Sequence, residues 1–134
     1  MEIFKRITVI ICLFLLAHLT SIFFGQLFCS LFARIGGSIC QGDLFMSTSS
    51  TQYLVGIAPA FIFFDTLFFT YLAKKYDYIL MTLLLILPLI YLLAFDSKFS
   101  QHTIFYILIG ILGWIIGFFG RKLFIKNKPG ISAK

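Results

Sequence analysis

The chain has 134 residues, 60% of them hydrophobic and 12% charged, with a mean hydropathy of +1.03. A soluble domain of this length buries at most about 70% of its chain surface, so it cannot hide that much apolar area, and a soluble enzyme or binding module is excluded. The net charge of +6 does not mark a nucleic-acid binder, because the basic residues sit at the edges of apolar runs, where they meet lipid headgroups.

The first apolar run, 7–33, follows Lys5 and Arg6 and carries no charge. A cleaved signal peptide has an apolar core of about 7–15 residues. This run is far longer, no small-x-small site follows it, and Gln26, Leu27 and Phe28 before Cys29 do not make a lipoprotein box. An uncleaved first helix over 7–28 is expected. The break 34–52 holds Gly36, Gly37, Gly42 and a Ser/Thr run, which is loop composition. The second run predicts a helix over 53–73 containing Pro59 and Asp65, and Lys74 to Asp77 make a tight turn. A third helix over 78–95 carries Pro88. After the break 96–102 a fourth is expected over 103–120, followed by a basic tail, 121–134.

Lys and Arg sort to alternate breaks. Lys5, Arg6, Lys74, Lys75, Arg121, Lys122, Lys126, Lys128 and Lys134 fall at the N-terminus, the second loop and the tail, against Arg34 and Lys98 in the other two loops. The positive-inside rule then places both termini in the cytoplasm. The expected fold is an all-α membrane protein of the inner (plasma) membrane. It has a single domain of four antiparallel transmembrane helices with short loops.

Asp65 is the sharpest chemical feature. An Asp near the middle of a span costs about 2.5–3.5 kcal/mol on insertion, so its carboxyl should face the bundle interior and either be protonated or have a partner. His18 is the natural candidate: from the expected helix ends the two depths differ by about 5 Å. Thr20, Ser21, Tyr91 and Tyr106 are alternatives. The pair serves either as a proton or ion relay or as a polar contact that sets helix register. His18, Ser21, Gly25 and Cys29 share one face of helix one, a small and polar stripe expected to pack on neighbours.

Gly110, Gly113, Gly117 and Gly120 place four glycines on one side of helix four, with a G-x-x-x-G step at 113–117. Glycines let another backbone approach closely. The partner can be a helix of this chain, a second copy or another membrane protein. Gly56 and Ala60 form a weaker small-residue step on helix two. Cys29 and Cys40 both fall on the expected external, oxidising side, where a disulfide persists. Cys12 lies in the membrane as apolar filler.

Four helices with cysteines in the first external loop resemble the disulfide-generating quinone reductases, although no Cys-x-x-Cys is present. Phe61-Ile-Phe-Phe-Asp-Thr-Leu-Phe-Phe-Thr-Tyr71 and Gly117-Phe-Phe-Gly-Arg-Lys-Leu-Phe124 resemble the ends of helices two and four of the GtrA-type proteins. That resemblance implies a small four-helix protein that moves polyprenyl-linked sugars. This chain lacks the Asn-Arg of that family's helix-two exit. Intramembrane aspartyl protease, signal peptidase and His-Glu-x-x-His metal motifs are missing. No catalytic residues, cofactor or metal are therefore expected. The first functional expectation is a non-catalytic accessory, immunity-type or partner-binding subunit that associates through helix four. The second is a small carrier or ion-coupling protein using Asp65 and His18.

Overall fold

A computed structural model describes residues 2–36, 48–72, 74–95 and 99–126. They form four helices: α1 (Glu2–Gly36), α2 (Thr48–Leu72), α3 (Lys75–Phe95) and α4 (Phe99–Lys126). Each is long and apolar enough to cross a membrane. In a solvent without hydrogen-bond partners a helix satisfies its own backbone, which is why unbroken apolar runs fold this way.

The helices outrun the predicted apolar segments. α1 is 35 residues long, about 50 Å, against a hydrocarbon core of about 30 Å. α2 begins at Thr48, inside the stretch expected as loop. α4 continues through Arg121, Lys122 and Lys126, expected as tail. Lys and Arg are good helix formers, and cations suit the negative end of the helix dipole, so charge ends the apolar run without ending the helix. α2 and α3 run on through Pro59 and Pro88. The tail beyond Lys126 lies outside the described residues.

α2 is the hub. α1, α3 and α4 each pack on it, whereas contacts among those three are slight. Half of the α2 span is buried within the protein, against 17–28% of the other three. Composition explains the difference. Gly56, Ala58, Pro59, Ala60, Thr66 and Thr70 of α2 are buried, and such small residues let neighbours come close on several sides. The outward faces carry Leu, Ile and Phe, for example Leu19, Ile90 and Phe119, as lipid requires.

Two contacts are backbone-to-backbone. On the α1 side a Cβ on Gly25 would collide with the Gln52 carbonyl, and one on Gly56 with the Ser21 carbonyl. On the α4 side, a Cβ on Gly113 would stand 2.5 Å from the Phe63 carbonyl oxygen, and one on Gly117 would stand 2.5 Å from that of Leu67. Gly110 and Gly120 have more room, their nearest neighbours being Ile62 at 3.4 Å and Tyr71 at 3.7 Å. All four glycines of α4 therefore meet α2 of the same chain. Ser21 and Cys29 of the α1 stripe are buried as well, with Gly25 between them.

The registers are consistent along each pair. Contacts move down α2 as they move up α1: Phe14 with Phe61, Ser21 with Gly56, Gly25 with Gln52. Along α4 they move up together: Gly110 with Ile62, Gly117 with Leu67, Gly120 with Tyr71. Phe28 of α1 closes the remaining side against His102, Phe105 and Tyr106 of α4, with ring centroids 4.8, 5.3 and 6.1 Å away.

The glycines should therefore differ sharply in tolerance. Gly113→Ala and Gly117→Ala should each cost about 1–3 kcal/mol through overpacking. Gly120→Ala should stay within about 0.5 kcal/mol of the parent. Reversible unfolding in mixed micelles measures all three, and equal costs would contradict the close approach at 113 and 117.

Candidate functional site

Asp65 lies on the buried side of the hub helix. Phe61 and Phe69, one turn to either side, are core residues at 7% and 0% exposure, and Asp65 itself is 0% exposed. Neither carboxyl oxygen has a hydrogen-bond partner among the described residues. The Thr70 hydroxyl is likewise buried and unpartnered. Thr66, next to Asp65, turns its hydroxyl back to donate to the carbonyls of Ile62 and Phe63, at 2.8 and 3.0 Å. It gives the acid nothing.

The predicted partner is elsewhere. His18 is exposed, stacks on Tyr53 with ring centroids 5.5 Å apart, and shares a hydrogen bond between its Nδ1 and the Tyr53 hydroxyl. The structure does not bring His18 and Asp65 together, and the register gives the reason. With Ser21 beside Gly56 and Gly25 beside Gln52, His18 is level with Pro59, about 9 Å along the axis from Asp65. Depth counted from the ends of apolar runs missed this offset, because the glycine contacts and not the run ends align the two helices: α2 ends at Leu72, within a residue of its expected end, whereas α1 begins at Glu2, five residues before its apolar run.

The alternative donors are also engaged. Thr20 and Ser21 donate to the carbonyls of Leu16 and His18, at 2.7 and 2.8 Å. Tyr91 donates to the Leu54 carbonyl at 2.9 Å, tying α3 to α2. Tyr106 is buried with its ring stacked over Phe28. Trp114 is half exposed and stacks on Phe118 of its own helix, so it faces outward rather than into the core.

A second polar centre was not singled out from sequence. At the opposite end of α2 from Tyr53, Asp77 is 3% exposed. Its Oδ1 accepts from Arg6 Nε at 2.9 Å and its Oδ2 from the Lys74 amide at 3.2 Å. The Lys74 carbonyl in turn accepts from the amides of Asp77 and Tyr78. This is one half of a capping box: the side chain at the third helical position covers the amide of the capping residue. An acid in the first turn also suits the helix dipole. The sequence signal was an acid three residues after the turn residue Lys74. Its ion-pair partner Arg6, 71 positions away, left no local signal.

Cys12 is a free thiol. Cys29 is buried and is not among the free thiols, while its expected partner Cys40 lies outside the described residues. Among the described residues no three His, Cys, Asp or Glu side chains gather as metal ligands would.

The chain matches no family model, no curated protein and no solved structure. The likeness to the GtrA-type proteins rests on the two quoted stretches alone.

The Arg6–Asp77 pair should hold the start of α1 against the α2–α3 turn. A double-mutant cycle with Arg6→Met and Asp77→Asn should return a coupling energy of about 1–3 kcal/mol. Additive single effects, measured by unfolding in mixed micelles, would show that the two side chains are independent.

Proposed function

We propose that this chain is a multi-pass inner-membrane protein with four antiparallel spans and both termini cytoplasmic, and that it has no catalysis of its own. We propose further that it couples to a proton or small cation through Asp65. The carrying observation is that both Asp65 oxygens are buried without a hydrogen-bond partner. A polar contact kept only for helix register would have a donor, and among the described residues this acid has none. An ionisable group inside a membrane bundle is costly and marks a pathway or relay more often than an accident. The opposed registers of α1 and α2, and the basic residues at the N-terminus, second turn and end of α4, support the topology.

The accessory-subunit reading draws support from α3. It packs on α2 by one face, and only 17% of its span is buried within the chain. A partner would use that outer face, since the glycines of α4 are already taken up by α2.

A bridge between Cys29 and Cys40 fits the same topology, on the external side. It would close a short loop worth about 3 kcal/mol on the chain-entropy model. Thiol labelling of unfolded, unreduced protein should modify Cys12 only, and labelling at Cys29 and Cys40 would end this claim.

For Asp65, full-length protein in phosphatidylcholine vesicles should dissipate an imposed proton or sodium gradient, and Asp65→Asn should fall to the rate of empty vesicles while staying folded. Asp65→Leu should be equally inactive yet more stable by about 1–3 kcal/mol, since it removes an unsatisfied polar group. Wild-type flux no faster than empty vesicles for either ion rejects ion coupling and favours the accessory reading.

A further inference from the structure

A cleft of about 100 Å³ opens between the first turns of α1 and the α2–α3 turn, lined by Lys5, Arg6, Leu72, Lys74 and Asp77. We propose that it binds the phosphate of an anionic phospholipid. This site is independent of any role for Asp65.

The electrostatics carry the argument first. Asp77 is the acid in the lining, and its charge is spent internally: one oxygen accepts from Arg6 Nε and the other from the Lys74 amide. Arg6 commits one N–H to that bond, and a guanidinium has five, so the terminal nitrogens remain to meet an anion bidentately. Lys5 is exposed and makes no ion pair among the described residues. The lining therefore carries three cations and one carboxylate, a net charge of +2, and Asp77 orients Arg6 without cancelling the site.

Position identifies the source of the phosphate. The apolar run of α1 begins at Ile7, just after Lys5 and Arg6, the candidate span of α2 ends at Leu72 and that of α3 begins at Lys75. Three spans reach the membrane border at this cleft, so its depth is that of headgroups. Leu72 supplies an apolar wall toward the acyl region. A soluble phosphate would use the same nitrogens but gain nothing from that wall. Basic pockets between membrane helices at this depth take anionic headgroups.

The test uses purified full-length protein in detergent, with retained lipid read by native mass spectrometry. Wild-type protein should hold phosphatidylglycerol in preference to phosphatidylcholine. Lys5→Gln with Lys74→Gln should weaken phosphatidylglycerol binding by about fivefold per lysine removed. That double variant leaves the Arg6–Asp77 pair intact, and its unchanged thermal unfolding separates lost binding from lost fold. Lys75→Gln with Lys122→Gln removes the same charge outside the cleft and should leave binding unchanged. Equal losses in the two double variants would reduce the effect to a diffuse field and overturn the site. Absence of preference between the two lipids overturns it too. An excess of inorganic phosphate should fail to displace phosphatidylglycerol. Full displacement would assign the cleft to a soluble anion and overturn the lipid assignment.

Discussion

The structure depends on how closely other backbones can approach α2. Within a bilayer, apolar side chains gain little by leaving lipid for protein, so helix association rests on packing contact and on removing bulk between backbones. α2 achieves this on two sides at once. Toward α1 the approach is made at Gly56, met by Gly25. Toward α4 the glycines belong to the partner, at 113 and 117, and α2 contributes the carbonyls of Phe63 and Leu67. A hub needs a narrow waist in the chain that passes through the centre, or in the chains that surround it, and this protein uses one solution on each flank.

The ends of the hub are held differently. At one end Arg6, Asp77 and the Lys74 amide join α1 to the α2–α3 turn. At the other, Tyr53 meets His18, and Tyr91 donates to the Leu54 carbonyl. The α2-side members of these contacts, Tyr53, Leu54 and the turn before Asp77, thus sit toward the two ends of the hub, and close packing fills the section between. Asp65 breaks this division. It is an acid in the section reserved for close packing, with its neighbours Thr66 and Thr70 either bonded to backbone or unpartnered.

Element type and number were legible in the sequence because one physical length, the hydrocarbon thickness, determines how long an apolar run must be. The small-residue faces at 18–29 on α1, save its exposed first member His18, and at 110–120 on α4 were legible from spacing alone. Which surface each face meets was not, because a glycine pattern states that something comes close without naming it. Helix ends were poorly legible for a related reason. Apolarity stops at the border, but the backbone has no cause to unwind there, and Lys122 and Lys126 prolong α4 into the aqueous side. The error then propagated: depths measured from apolar ends paired His18 with Asp65, whereas the glycine contacts set the register and put them about 9 Å apart along the axis. Asp77 was passed over because its ion pair joins residues far apart in the chain.

Those offsets sharpen the question of Asp65 rather than dissolve it. A buried acid bonded to His18 would have been an ordinary strut. An acid with no donor among the described residues is held in place by the packing around it, and here that packing is the part of the molecule with least freedom to adjust. The glycine contacts leave α2 no room to rotate the carboxyl toward a border without separating Gly56 from Ser21 or Phe63 from Gly113. Any change that brings water or a cation to Asp65 must therefore open one of those two seams. The α1 seam is the longer, but Phe28 stacks α1 against α4 as well. The α4 seam is the shorter of the two, so access to the acid is cheapest where Gly113 and Gly117 part from the carbonyls of Phe63 and Leu67.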